Sequence, residues 1–247
     1  MHEKKRRNSI SIIEEQKSVF AIGDIHGRYD LLIEAEKQII REPDTTKLIV
    51  ILGDFVDRGP QSAQILDHFC AKSSAGVRRI CLLGNHEAMM LAFIKQPKKY
   101  SRWLDFGGKA TLLSYSIPFQ EIVTAPTNWN RFQTILESHI PAEHVQFLES
   151  LPIQACFGNV KFAHAGLKRE DRLLGQLNDD SFDLRVEALH SWAQDDECLI
   201  VHGHFAQKSP SFTNNCLNLD TGAYASGQLT YANIRPDGNY ELFSISL

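Results

Sequence analysis

Five times along this chain, an apolar run that reads as a buried strand stops at residues able to ligate a metal ion. The clusters are Gly23-Asp24-Ile25-His26-Gly27, Gly53-Asp54-Phe55-Val56-Asp57-Arg58-Gly59, Gly84-Asn85-His86-Glu87, His164-Ala165-Gly166 and His202-Gly203-His204. A single Asp or His at a strand end is an ordinary turn residue. Five in succession require a fold that gathers five strand ends at one edge, and few architectures do that.

The runs themselves set the fold class. Val19-Phe20-Ala21-Ile22, Leu48 to Leu52 and Arg79 to Leu83 read as buried strands. Helical patterns follow each of them. The first covers Asp30 to Ile40, with Leu31, Leu32, Ala35, Ile39 and Ile40 on the apolar side; the others run from about Ser62 to Cys70 and from Glu87 to about Ile94. Such alternation predicts a largely parallel sheet. Residues 95–150 are mostly helical in pattern, punctuated by Pro97, Pro118, Pro126 and Pro141, and are expected to form a helical insertion capping the site. Strands resume at Val160 to Ala163, Leu199 to Val201, Cys216 to Leu219, Gln228 to Asn233 and Tyr240 to Ile245, the last three expected as an antiparallel meander. The expectation is an α/β fold of two sheets packed face to face with helices outside. It forms one domain, residues 18–247, behind a partly disordered extension, residues 1–17.

Composition removes several classes of function. With 43% apolar and 23% charged residues in 247, the chain has the make-up of an ordinary globular protein. Its net charge of -4, with one basic run at Lys4-Lys5-Arg6-Arg7, gives no field for nucleic acid. Cys70, Cys81, Cys156, Cys198 and Cys216 are widely spaced with no CxxC pair, which excludes a disulfide framework or a zinc-thiolate site and suits a reducing cytosol. No apolar stretch approaches the roughly 18 residues of a membrane span. The short Ile10-Ser11-Ile12-Ile13 run is no signal peptide. The expected location is the cytoplasm, with no membrane partner.

The spacing within the clusters allows metal chemistry. Asp24 and His26, two apart on extended chain, point to one side and can reach one ion. Asp54 can bridge two ions through its two carboxylate oxygens. Asn85 offers an amide oxygen, and His164 with one histidine of the His202/His204 pair adds imidazole. An oxygen and nitrogen set without thiolate suits Mn, Fe or Zn better than magnesium or calcium. Two divalent ions held in this way activate water against a phosphate ester.

The ordered series GDIHG, GDFVDRG, GNHE, HAG, HGH resembles the phosphoprotein phosphatase family of binuclear metallophosphoesterases. Its bacterial members include serine/threonine phosphatases and symmetrical diadenosine tetraphosphatases. The resemblance runs from about Phe20 to Tyr224, and Phe106-Gly107-Gly108, Phe147 to Pro152 and Leu219-Asp220-Thr221-Gly222-Ala223 also look like bacterial members. It implies a metallophosphoesterase-type α/β/β/α sandwich. It further implies that Asp24 and His26 hold a first ion, that Asp54 bridges, and that Asn85, His164 and a late histidine hold the second. The family's Gly-His-Thr pattern selects His204, although Phe205 replaces the threonine, and leaves His202 as a supporting strand-end residue. Two cations, manganese first and iron or zinc next, would share a water and make it the attacking hydroxide, typically about 3.5–4 Å apart. His86, paired with Asp57, would protonate the leaving alkoxide, a contribution of about 10²–10⁴ in rate. Arg58 would clamp the phosphate oxygens with its planar fork. A second phosphate-binding arginine falls at Arg185, within Phe182-Asp183-Leu184-Arg185-Val186-Glu187, where Asp183 replaces the family's tryptophan.

The implied activity is hydrolysis of phosphoserine or phosphothreonine in proteins, or of a related small phosphoester. The tetraphosphatases commonly carry alanine where Asp57 stands, so a symmetrical diadenosine tetraphosphate hydrolase is the alternative. A catalytically dead phospho-binding protein and a nuclease are the remaining readings. Glu87 is expected to act structurally at a helix start, and Trp103, Trp129 and Trp192 as packing residues.

Overall fold

The strand β2 (Val19–Ile22) has all four residues buried, because each of its faces meets a different core. Side chains alternate along a strand. Val19 and Ala21 face a second sheet, while Phe20 and Ile22 face a layer of helices. The same division holds for β3 (Lys47–Ile51), with Leu48 and Val50 on one side and Ile49 and Ile51 on the other. This explains why these segments read as continuous apolar runs. The computed structural model describes residues 9–12, 17–43, 47–72, 76–165 and 198–247.

One sheet runs β11-β10-β2-β3-β4, where β4 is Val77–Cys81, β10 Gln228–Ile234 and β11 Tyr240–Ser246. Its β2, β3 and β4 are mutually parallel, and β10 joins β2 antiparallel. The other sheet runs β1-β5-β6-β7-β9-β8: β1 is Ile10–Ser11, β5 Gln154–Phe157, β6 Val160–Ala163, β7 Leu199–His202, β8 Ser211–Thr213 and β9 Cys216–Asn218. Phe157, Phe162, Val201 and Leu217 of this sheet interdigitate with Val19, Val50 and Ala232 of the first. The two sheets therefore pack face to face.

The expected terminal meander is corrected here. Strands β10 and β11 form a hairpin, but β9 lies in the other sheet, parallel to β7 and antiparallel to β8. All three β9 residues are buried, and Leu217 belongs to the core between the sheets. Residues 219–227 then cross to the first sheet. Local pattern could not show this, since a buried strand looks alike in either sheet.

Helices α1 (Tyr29–Arg41), α2 (Ser62–Cys70) and α3 (Asn85–Lys95) cover the free face of the first sheet. Helix α3 begins two residues earlier than the pattern predicts, which places Asn85 and His86 in its first turn. A 3₁₀ turn (Ser101–Phe106), α4 (Gly108–Ser114), α5 (Phe119–Thr124), α6 (Trp129–His139) and α7 (Ala142–Ser150) follow. Their Trp103, Leu112, Ile122, Phe132 and Leu148 share one apolar cluster with Ile22 and Ile51, so this stretch extends the same core. No helix among the described residues is long and apolar enough to cross a membrane.

One buried ion pair ties α1 to β4. Arg79 donates to both Glu36 oxygens (2.6 and 2.7 Å), and His68 lies 2.8 Å from Oε2. Burial raises the Glu36 pKa, but the hydrogen bonds and charges of Arg79 and His68 outweigh it and leave it lowered. A depressed acid contributes stability above its unfolded pKa and loses it as pH falls through the folded value. Glu36→Ala should cost about 3 kcal/mol at pH 7, since it removes the carboxylate that pairs with a mostly buried guanidinium. Wild-type stability should decline as pH drops below the ordinary glutamate value of 4.5, and less so in the variant. Urea unfolding at pH 7 and pH 4 reads both effects; an identical pH slope in the two proteins would refute the assignment.

Candidate metal centre

Both β2 and β3 run out at the same edge, and the loops that follow are knitted together by backbone. The Ile25 and His26 amides donate to the Asp54 carbonyl, Gly27 N–H to Phe55 and Gly59 N–H to His26 (2.9–3.1 Å). The knit forces unusual backbone on non-glycine residues. His26, Asp54, Asp57, Arg58 and His204 all have φ between 44° and 74°. Among the described residues only Ser116, Asn214 and Asn215 share that property, and asparagine tolerates it. Strain of this kind collects where a fold over-determines a functional loop.

Glu87 is a principal restraint. Its buried carboxylate accepts the N–H groups of Asp54 (2.9 Å), Phe55 (2.9 Å), Val56 (3.1 Å) and Gly84 (2.9 Å). The sequence pattern assigns it only a helix-start role; here it also holds the loop that presents Asp54. Burial and the Asp54 charge push its pKa up to about 7, against the pull of the backbone donors. Gly84 is required beside it, since a Cβ there would overlap Asp54 Oδ1.

Asp54 sits at the centre. Its Oδ1 accepts the His86 N–H in the first turn of α3 (3.0 Å), where the helix dipole favours an anion. Its Oδ2 faces the ring nitrogens of His164 (3.2 Å), His26 (3.8 Å) and His86 (3.9 Å). A single oxygen faces both sides, because the helix N-terminus engages the other.

Two groups of side chains share Asp54, each with ligand atoms within 4.8 Å of one another: His26, Asp54 and His86, and Asp54, His164 and His204. His164 donates Nδ1–H to the Leu52 carbonyl (3.1 Å), so its Nε2 turns to Asn85 Oδ1 (2.9 Å) and His204 Nδ1 (3.1 Å). Asn85 Oδ1 is 3.0 Å from His204 Nδ1, closing the second set. His26 likewise donates Nδ1–H to the Val56 carbonyl (2.9 Å), which aims Nε2 at Asp54. The His204 ring, edge-on to Phe205 at 4.5 Å, is held by the residue that departs from the family's threonine. His202, by contrast, lies at its own Gly203 carbonyl (2.9 Å).

Asp24, expected with His26 on the first ion, belongs to neither group. Its Oδ2 accepts the His204 N–H (3.0 Å), and its buried Oδ1 has no hydrogen-bond partner among the described residues. Gly203 packs so tightly on that oxygen that a Cβ would overlap it. Burial, then the charges of Asp220 and Asp54, hold its pKa well above the carboxylate range. Asp220, buried at the start of the crossover from β9, lies in a segment that resembles the family but to which the sequence assigns no role. Burial and Asp54 raise its pKa too.

The titration pattern suits cation binding. Asp54 is lowered because His164 and His86 outweigh its burial, and His164 is raised because Asp54 outweighs its own. Burial, reinforced by His164, pushes His204 down to about 4, while burial and His86 lower His26. Neutral imidazoles with aimed lone pairs, an orphaned carboxylate oxygen and an amide oxygen form a donor set for borderline divalent ions.

Beside this centre, His86 donates Nδ1–H to Asp57 Oδ2 (2.7 Å), and Arg58 lies 3.3 Å from its Nε2. Asp57 is fully buried and also accepts from Trp103 Nε1 (2.7 Å) and Thr111 Oγ1 (2.6 Å). Trp103 thus packs as expected yet also presents its N–H to the site, and Thr111 carried no signal in sequence. Tyr224, likewise unsignalled, lies under Arg58. Arg185, Asp183, Gly166 and Trp192 lie outside the described residues.

A two-sheet sandwich that presents two ligand groups around one aspartate at its loop edge is the architecture of a metallophosphoesterase. Residues 17–234 match the model of the calcineurin-like phosphoesterases, and the chain belongs to that family of enzymes. Among curated relatives it is similar to a bis(5'-nucleosyl)-tetraphosphatase, PrpE (asymmetrical), of Anoxybacillus flavithermus, at 25% identity over 85% of this chain and 87% of that one. It is equally similar to serine/threonine-protein phosphatase 2 of Salmonella typhimurium, at 25% identity over 89% and 94%. A solved structure of a candidate diadenosine tetraphosphatase shares the fold, with a TM-score of 0.58 at 22% identity over 96% and 98% of the two chains.

The Glu87 clamp is open to direct test. Glu87→Gln keeps the shape but swaps one acceptor oxygen for an NH₂ facing N–H donors. It should lower stability by about 2 kcal/mol or more, read as a reduced urea midpoint. An unchanged midpoint would mean that other contacts hold the Asp54 loop.

Proposed function

We propose that the chain is a metal-dependent phosphomonoesterase acting on phosphoserine or phosphothreonine in proteins. Asp24, His26 and Asp54 would hold one divalent ion, and Asp54, Asn85, His164 and His204 the other. Manganese is the first choice, with iron or zinc next. A cation pair there would supply water activation and charge neutralisation at the phosphoryl group. Arg58 orients the phosphoryl oxygens as a two-pronged donor. His86 gives a proton from Nε2 to the departing oxygen, and Asp57 keeps the ring aimed and compensates its charge. Residues 18–247 act as one domain, and the cytoplasm is the working compartment, in keeping with five free cysteines.

The observation that carries this reading is the 2.7 Å contact between His86 and Asp57, with both carboxylate oxygens of Asp57 further engaged. Burial lowers the His86 pKa, but Asp54 and Asp57 outweigh it and leave it raised, which favours a proton donor. A serine or threonine alkoxide is a strong base and needs that proton. A nucleotide phosphate leaving from an anhydride is a weak base and needs it far less. Dinucleoside polyphosphate hydrolysis is the second reading, favoured by the PrpE relatives. Those relatives are named as asymmetrical enzymes, while the sequence motifs lead to symmetrical cleavage, so the second reading covers both modes. An inactive binding protein or a nuclease gains no support from any feature of the site.

The test is a side-by-side assay of phosphopeptides and diadenosine tetraphosphate with the manganese-loaded protein. Chelator should abolish turnover, as should Asp54→Asn. His86→Asn should cut phosphopeptide kcat by about 10²–10⁴ and affect the anhydride much less. A kcat/KM for diadenosine tetraphosphate well above that for phosphopeptides would install the second reading instead.

A further inference from the structure

Tyr224 belongs to a four-residue helix, α8 (Ala223–Ser226), bracketed by Gly222 and Gly227 in left-handed conformation. This short helix is firmly seated. Ala223 is fully buried, its carbonyl accepts from Arg28 Nη1 (3.1 Å), and the Gly222 N–H donates to Asp220 Oδ1 (2.8 Å). Arg28 is itself held by Asp30 (2.7 and 2.9 Å). Tyr224 stays 40% exposed at the rim of the site. Its ring face lies 4.6 Å from the Arg58 guanidinium carbon, and the ring stands nearly perpendicular to the His26 ring, 5.3 Å between ring centres.

Arg58 needs such support. It is exposed, its backbone is left-handed at φ 67°, and its main chain is fixed by the Gly107 carbonyl (3.3 Å). Its fork faces His86 Nε2, and among the described residues no carboxylate holds it there. An exposed arginine samples many rotamers, and fixing them costs binding free energy each time a phosphate arrives. An aromatic face beneath the guanidinium pre-sets the rotamer without occupying any N–H donor. A carboxylate in its place would compete with the phosphate for the same donors.

We propose that Tyr224 is a positioning residue that pre-orients Arg58 for the phosphoryl group. The inference rests on Arg58 being the phosphate clamp and goes beyond it by assigning the residue that sets the clamp. It acts through the ring face, so the hydroxyl is dispensable.

Orthophosphate is the probe, measured by calorimetry on the manganese-loaded protein and as a competitive inhibitor of aryl phosphate turnover. Tyr224→Leu should weaken orthophosphate about fivefold, the size of a partly exposed cation–π contact. It should raise KM by a similar factor, with kcat falling less than about twofold. Tyr224→Phe should restore wild-type values. In an Arg58→Ala background, Tyr224→Leu should have no further effect, and manganese affinity and melting temperature should match wild type throughout. Wild-type phosphate affinity in Tyr224→Leu would overturn the inference. So would an undiminished effect in the Arg58→Ala background, a failure of Tyr224→Phe to rescue, or a loss of manganese affinity pointing to His26 instead. Wild-type phosphate affinity in Arg58→Ala alone would remove the clamp assignment, and this inference with it.

Discussion

The loop after β3 is held in its shape by one buried carboxylate. Glu87 receives three consecutive N–H groups of that loop and one from Gly84, and so converts a flexible turn into a fixed mount for Asp54. Such a mount is needed because left-handed backbone costs about 1–2 kcal/mol at each non-glycine residue. A net hydrogen bond is worth about 0.5–1.5 kcal/mol, and more to a charged acceptor, so four of them on one buried group offset that strain at Asp54 and its neighbours. The same helix turn that carries Glu87 also carries Asn85 and His86. Three side chains are therefore held as one unit: the Asn85 amide, the His86 imidazole and the Glu87 clamp.

Around Asp54 the electrostatics oppose folding unless something balances them. Asp24, Asp54, Asp220 and Glu87 are all buried within reach of one another's charge, and desolvation raises or opposes each of them. Imidazoles compensate part of this, as the mutual shifts of Asp54 and His164 show. The unpartnered Asp24 oxygen is the remainder. A buried polar atom left without a partner is costly. Its position beside the shared aspartate makes a divalent ion the chemically fitting partner. The two apolar layers on either side of the first sheet supply the stability that lets the fold carry such a site.

Much of this was legible from local pattern. Strands β2 and β3 lie within one residue of their expected positions, because strands covered on both faces must be continuously apolar. Helix α2 has the expected limits. The first residues after each run could be recognised as ligand chemistry without any coordinates. Less legible were β1, β5 and β8, which are two to four residues long and carry polar residues among apolar ones. Trp103 and Thr111 reach Asp57 from 46 and 54 residues away, and no spacing rule links them.

The division has a physical basis. Periodicity and residue chemistry are properties of neighbours along the chain, and they determined which strands form, where they end and which side chains stand at those ends. Pairing and approach are properties of neighbours in space. Only tertiary structure decided that β9 joins the far sheet, that one oxygen of Asp54 faces both histidine groups, that Glu87 grips the loop opposite, and that Tyr224 slides beneath Arg58. Each of those outcomes depends on segments that meet in space, where the packing of two cores, and no local preference, sets the distance.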